Sequence, residues 1–290
     1  MTERGDLRLP PRRYSKTWLA FAKVVERTSA LLGGRAFYRR WFLSPGRFRI
    51  REECVAVENL PPGLNDFSIL QLSDLHGGRF MGEGDLNFVI DAALAQEPDL
   101  IVLTGDYVIH HWREMLGLVT ELKRLRATHG VLAVLGNHDY RGRNEQHIID
   151  HFEEIGIQTL RNECVRIDTG NGVLAVVGLE DLEEAKVVDE KAARLEVRAD
   201  DVELVLCHNP HMSKALARKQ CAAVLSGHTH GNQIDLPGFR TLGPHHPGER
   251  CEFGNTVAIT NLGLGAIGLP FRFGAPAEMV RLTFRDLCAQ

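Results

Sequence analysis

Six cysteines (Cys54, Cys164, Cys207, Cys221, Cys251 and Cys288) are scattered through 290 residues, with no C-x-x-C pair among them. That spacing argues against a disulfide framework and against a structural zinc knuckle. Most of them sit in apolar or strand-like runs, so they are expected to be buried free thiols of a reducing compartment. A long apolar run is missing too. The segment "PRRYSKTWLAFAKVVERTSALLGG" has paired arginines ahead of apolar residues, but Lys23, Glu26 and Arg27 interrupt it. It falls short of a signal core of about 7–15 apolar residues and of the ~18 needed to cross a bilayer. Neither a cleaved signal nor a transmembrane helix is expected. Internal repeats and low-complexity tracts are absent, which leaves an ordinary globular chain, 44% hydrophobic and 25% charged.

The net charge of −4 conceals an imbalance. Residues 1–51 carry 13 Lys/Arg against Glu3, Asp6 and Glu26, a local +10; the rest carries 21 basic and 35 acidic residues, or −14. A basic arm (1–52) on an acidic body (53–290) suggests that the arm has its own partner. Residues 16–33 predict a helix whose apolar stripe holds Trp18, Phe21, Ala22, Val25 and Leu32. "FYRRWFLSPGRFRIR" (37–51) then interleaves aromatics with arginines. Such a segment either docks on the body or lies in a membrane interface, with rings at headgroup depth and cations on phosphates. Nucleic acid is not expected, because the acidic body would repel a polyanion.

Beyond residue 53 short apolar runs end in glycine or polar residues: "FSILQLSD" (67–74), "DLIVLTGD" (99–106), "GVLAVLGN" (130–137), "VLAVVG" (173–178), "VELVLCH" (202–208) and "AAVLSGH" (222–228). Each reads as a buried strand. Helical patterns over 83–97, 113–127 and 144–156 fall between several of them, which predicts an α/β domain with largely parallel pairing. The Gly-rich stretch 256–284 reads as all-strand and would add antiparallel members.

Most of these strands end in residues able to hold a metal: Asp74 and His76, Asp106, Asn137 with His138 and Asp139, His208, and the pair His228 and His230. In open α/β sheets the carboxyl ends of the strands form the functional rim, and residues i and i+2 of an extended segment point the same way. One D-x-H or one histidine pair is weak evidence. Five pieces, each behind an apolar run, are strong. His110 and His111 follow the Asp106 loop and either line a pocket or sit on the surface. His245 and His246 read as loop residues; His129, His147, His151 and His211 read as structural.

The order D-x-H, G-D, G-N-H-D, a lone H and G-H-x-H over residues 67–231 resembles the calcineurin-like metallophosphoesterase superfamily. The resemblance implies a four-layer α-β-β-α sandwich with two mixed sheets and a binuclear metal site at the C-terminal strand ends. It implies that Asp74, His76, Asp106 and His230 hold one divalent ion and Asp106, Asn137, His208 and His228 the other, with Asp106 shared. It further implies that His138 lies beside the phosphate, oriented by Asp139. Where the superfamily often has an acidic or amide residue three positions after the G-D aspartate, Ile109 stands here. Mixed carboxylate, imidazole and amide donors without thiolates suit Mn²⁺ first, with Fe or Zn²⁺ as alternatives. Two such ions, about 3.5–4 Å apart, activate water and clamp both oxygens of an in-line displacement at phosphorus.

"GHTHGNQIDLPGF" and "NLGLGAIGLPFRFGAPAEMVRLTF" also resemble a bacterial branch of membrane-associated phosphodiesterases, some of which hydrolyse UDP-2,3-diacylglucosamine in lipid A synthesis. This implies a lipid-linked phosphoester substrate and a cytoplasmic enzyme resting on the inner face of the membrane through residues 1–51. A general phosphodiesterase on soluble nucleotides or headgroups, a nuclease, and a non-catalytic scaffold stay open as alternatives.

Overall fold

The computed structural model describes residues 8–10, 15–143, 145–235 and 245–287. Arg12, Arg13, the Trp18 side chain, the end of "GHTHGNQIDLPGF" and Cys288 lie outside them. Among the described residues twelve strands form two six-stranded sheets. They are β1 (Arg49–Val57), β2 (Ser68–Leu72), β3 (Leu100–Thr104), β4 (Val131–Val134), β5 (Gln158–Thr159), β6 (Glu163–Asp168), β7 (Val173–Gly178), β8 (Val202–Leu206), β9 (Cys221–Ser226), β10 (Arg250–Phe253), β11 (Thr256–Thr260) and β12 (Glu278–Asp286). The first sheet runs β1-β12-β2-β3-β4-β5 and the second β10-β11-β9-β8-β7-β6. β2, β3 and β4 are parallel, as are β7, β8 and β9, while β12 lies antiparallel to β2 and β10 antiparallel to β11.

The two-residue side-chain period of a strand sorts these apolar runs into separate cores. Ile69, Val102 and Val134 of the first sheet face Leu204, Leu225 and Ile259 of the second, and these residues form the core between the sheets. The alternate residues Leu70, Leu72, Ile101 and Leu103 pack outward against Val89, Ile90, Leu122, Ile148 and Phe152. Those partners come from α3 (Asn87–Leu94), α4 (Val119–Leu122) and α6 (Glu145–Glu154), the remaining helices of the first half being α1 (Lys16–Leu31), α2 (Gly34–Tyr38) and α5 (Asn137–Tyr140). On the far side Val177, Val205 and Val224 pack with Ala193 and Leu216. Three cores between four layers make the α-β-β-α sandwich. A strand buried on both faces has no polar side, which is why all six runs read as continuous apolar stretches.

Two elements differ from the sequence reading. Residues 113–127 form a 3-10 turn over Trp112–Gly117 and then the single turn of α4, not one helix. Gly117 packs on Gly82, where an added Cβ would meet Gly82 Cα at 3.2 Å, and Leu118 caps α4 at φ −118° and ψ −18°, stretched from ideal helix values. Within 256–284 only β11 and β12 are strands. The intervening backbone spends its hydrogen bonds elsewhere: Leu264 and Gly265 N–H reach Ser73 O (3.1 Å) and Asp74 O (2.7 Å). The carbonyls of Leu262, Gly265 and Ala275 go to the buried Arg272 guanidinium.

α1 spans 16–31 as read, but its apolar side is not sunk into the body. Phe21, Val24, Leu31 and, just past its end, Leu32 are exposed. Glu26, by contrast, is buried and pairs with Arg79 (2.9 Å) and His110 (3.3 Å). The next segment is anchored firmly. Tyr38 and Leu43 are fully buried, and the Tyr38 hydroxyl lies within 2.7 Å of Leu264 O and 2.8 Å of Gly265 O. The 52/53 division falls inside β1, whose Arg49 and Arg51 pair with the buried Glu278 of β12. Among the described residues Cys54, Cys164, Cys207, Cys221 and Cys251 are free thiols; Cys207 and Cys221 are buried and Cys54 is exposed. Among the described residues no helix is long and apolar enough to cross a membrane.

Candidate metal centre

Because β2, β3 and β4 run parallel, as do β8 and β9, the loops that follow them open at one end of the sandwich. Gln71 ties the two sheets together just beneath that end. Its side chain donates to Thr104 Oγ1 (2.8 Å) in the first sheet and Ser226 O (2.9 Å) in the second. Sequence reasoning missed this buried amide because nothing in an apolar run marks a cross-sheet contact.

Two groups of donors gather here: Asp74, His76 and His230, and Asp106, His208 and His228, every one of them buried. Asn137 joins the second group, its Oδ1 3.0 Å from His228 Nδ1. Asp106 lies between the groups, with Oδ2 3.6 Å from His76 Nε2 and 3.3 Å from His208 Nε2. All seven residues drawn from five separate loops therefore converge on one cavity. The backbone is bent to make this possible. Asp74, His76, Asp106, His228 and His230 all have positive φ, between 49° and 69°. A non-glycine residue there costs about 1–3 kcal/mol, strain that persists only where the surroundings over-determine it. Asp74 is fixed by the His228 N–H at 3.0 Å and by Ser73 Oγ at 2.6 Å.

The donor spacing suits a bound cation. Donors held at about 2.1 Å from an ion sit roughly 3.0 Å apart on an octahedral edge and roughly 3.4 Å apart on a tetrahedral one. His76 Nε2 and His230 Nε2 are 2.9 Å apart, and His230 Nε2 is 3.3 Å from Asp74 Oδ1. His208 Nε2 is buried and makes no hydrogen bond of good geometry among the described residues, although Asp106 Oδ2 lies 3.3 Å away. Neither group includes a cysteine. The site therefore fits hard or borderline divalent ions held by oxygen and imidazole nitrogen.

Electrostatics point the same way. Burial holds His76 and His230 well below the ordinary imidazole value, leaving a lone pair on each. Burial also pushes Asp74 up to about 6, with His208 opposing and Asp106 adding to the rise. Burial works against the charge on Asp106 as well, but His208 and His138 outweigh it and keep the carboxylate ionised. His208 is raised against the cost of its burial by that same carboxylate. A cation between Asp106 and His208 would take the place of this proton.

His138 lies at the mouth, half-buried, on the single turn of α5. Its N–H donates to Asp106 Oδ1 (2.8 Å). Its ring contacts differ from the expectation. Asp139 does not orient it: the Asp139 carboxylate accepts the N–H groups of Gly136, Asp106 and Tyr107, each at 2.8 Å, and so locks the β3 and β4 loops together. Orientation comes instead from the Ile109 carbonyl, 2.8 Å from His138 Nδ1, and from Arg141, whose Nη1 is 2.9 Å from Nε2. Burial, with Arg141 adding to it, holds this imidazole below its ordinary value against the pull of Asp106. Ile109 thus serves the site through its backbone, its side chain being buried in the core. Arg272 was missed too. It is buried, donates to four carbonyls, and sets Nη2 3.1 Å from His230 Nδ1. His110 and His111 are exposed, and His246 reaches Thr229, between the paired histidines, at 2.9 Å.

A four-layer sandwich whose strand ends gather seven oxygen and nitrogen donors around room for two cations defines a metal-dependent hydrolase. Residues 67–232 match the calcineurin-like phosphoesterase family, more than half of the chain, and the chain belongs to it. It is a hydrolase of phosphoesters. Among its relatives is an uncharacterized metallophosphoesterase of Aquifex aeolicus, 29% identical over 266 residues, which span 89% of this chain and 97% of that one. Phosphodiesterase YaeI of Escherichia coli is 31% identical over 222 residues, 75% of this chain and 78% of that one. A transmembrane protein with metallophosphoesterase domain of Bos taurus is 29% identical over 246 residues, 79% of this chain and 55% of that one.

Proposed function

We propose that the chain hydrolyses a phosphodiester or pyrophosphate bond. Asp74, His76, Asp106 and His230 hold one divalent cation, Asp106, Asn137, His208 and His228 hold the other, and Mn²⁺ fits best, ahead of Fe or Zn²⁺. When bound, the pair supplies Lewis acidity and an activated water for displacement at phosphorus. The remaining work falls to the chain. Asp106 keeps both halves of the site in register and fixes the His138 backbone through its Oδ1. With Arg141 drawn from Nε2 to the phosphoryl oxygens, His138 takes up a proton at that nitrogen and passes it to the leaving oxygen. Asp139 acts through the loops it locks. The name of the Escherichia coli relative favours a diester.

The substrate we favour is lipid-linked, of the UDP-2,3-diacylglucosamine kind, met at the inner face of the membrane. The observation that carries this is a cationic, aromatic face beside the site. Phe21, Val24, Leu31, Leu32, Phe37 and Trp41 are exposed among Lys23, Arg27, Arg35, Arg39 and Arg40. Glu26 joins that face, through Arg79 and His110, to the loops that carry His76 and Asp106. Apolar rings with nearby cations suit an anionic leaflet.

A phosphoester panel with Mn²⁺ tests the substrate: a diacylated UDP-sugar in mixed micelles, a bis-aryl phosphate and a monoester. Release of UMP is expected, and turnover of the bis-aryl phosphate without UMP would overturn the lipid reading. Removing residues 1–51 whole is a poor test of the face, because it takes out the buried Tyr38 and Leu43. The triple variant Phe21→Ser, Leu31→Ser, Leu32→Ser alters only exposed positions. It should lose sedimentation with phosphatidylglycerol vesicles and keep hydrolysis of the soluble diester; unchanged sedimentation refutes the membrane role.

A further inference from the structure

Of the six core strand ends, that of β7 is the one to which the sequence reading gave no metal-capable side chain, yet it runs straight into "LEDLEE" (179–184). In the folded chain Asp181 is buried, and its Oδ1 accepts the N–H groups of Glu183 (3.0 Å) and Glu184 (2.7 Å). That turn aims the Glu183 carboxylate at the second donor group. Glu183 Oε1 lies 3.4 Å from His228 Nε2. The same oxygen accepts from Asn209 Nδ2 at 2.9 Å, and Asn209 directly follows His208. The other ring nitrogen of His228, Nδ1, is the one beside Asn137 Oδ1.

A neutral imidazole has one N–H and one lone pair. The nitrogen that faces a cation must offer the lone pair, so the opposite nitrogen carries the hydrogen and needs an acceptor. We propose that Glu183 is the positioning residue of the second cation site: it receives the outer N–H of His228 and thereby commits Nδ1 to the ion. The inference rests on the two-cation reading above. The outer contacts of the other site histidines set it apart. His76 and His208 turn Nδ1 to backbone carbonyls, Val108 O at 3.4 Å and Thr104 O at 2.7 Å, and His230 faces Arg272. Among these histidines a carboxylate stands behind His228 alone, and Asn209 holds that carboxylate to the strand end that carries His208. Two ligands of one ion are thus braced through a single oxygen.

The test is Mn²⁺ titration of the metal-free protein by calorimetry, with elemental analysis of the loaded form. Wild type should take up two ions. Glu183→Ala should weaken one of them by about 10–100-fold, the range for losing such an outer partner, and leave the other unchanged. Glu183→Gln, whose amide oxygen can still accept the N–H, should recover most of that affinity. The inference is overturned if Glu183→Ala binds both ions as wild type does, if it weakens both equally, or if Glu183→Gln is no better than alanine. Failure of the wild type to bind two ions would instead strike the two-cation reading itself, and the inference with it.

Discussion

A single methyl group added at Gly136 is aimed at the shared carboxylate. Gly136 has φ −103° and ψ 174°, extended backbone that alanine adopts freely, so its backbone conformation costs nothing. The new Cβ, however, would sit 2.3 Å from Asp106 Oδ1, 2.5 Å from Asp106 N and 2.8 Å from His208 Cε1. Ordinary contact begins at 3.4 Å, so Oδ1 must retreat by about 1 Å. Rotating the carboxylate away does not suffice, because the backbone nitrogen is in the way as well. Misplacing a reacting group by about 1 Å costs roughly 10²-fold, or about 2.7 kcal/mol of barrier, and overpacking costs about 1–3 kcal/mol of stability. Steady-state hydrolysis of a bis-aryl phosphate with Mn²⁺ reads the first and calorimetric melting the second. Gly130→Ala is the control. Its Cβ meets nothing within 4 Å, but φ is +84°, so it should lose about 1–2 kcal/mol of stability and keep its kcat. A Gly136→Ala protein whose kcat/KM stays within about threefold of wild type would refute the placement of Asp106.

The remaining predictions concern single side chains. His138→Ala should keep both ions by elemental analysis and lose about 10²–10⁴ in kcat; loss of an ion would make His138 a ligand. Asp106→Ala should bind neither ion tightly in a Mn²⁺ titration, and retention of one high-affinity ion would show that the carboxylate is not shared. Tyr38→Phe takes the hydroxyl from the Leu264 carbonyl, while Gly265 O and Arg272 Nε keep each other. It should cost about 1–2 kcal/mol in urea unfolding, and a cost below about 0.5 kcal/mol would mean that the 34–43 segment is only loosely docked.

What the sequence determined by itself was the inventory of the site. A strand buried on both faces must read as an unbroken apolar run, and a polar residue directly after such a run lies at a sheet edge. Asp74, His76, Asp106, Asn137, His138, Asp139, His208, His228 and His230 could therefore be picked out as candidates, seven of which the family resemblance implies as ligands, and the same reasoning placed β2, β3, β4, β7, β8 and β9. The tertiary structure decided everything that depends on which chain segments lie side by side. That Ile109 serves His138 through its carbonyl is invisible in its side chain. Asp139 was assigned to the histidine next to it in sequence, but its carboxylate faces inward to three N–H groups of the β3 and β4 loops. Arg272, Gln71 and Glu183 act across separations of 42, 155 and 45 residues from His230, Ser226 and His228. The Gly-rich stretch before β12 showed strand-like composition, yet its backbone bonds belong to the Asp74 loop and to a buried guanidinium. Local pattern fixes which groups are polar and where a strand ends. The direction of each lone pair is set by neighbours that only the packing of two sheets brings within 3.4 Å.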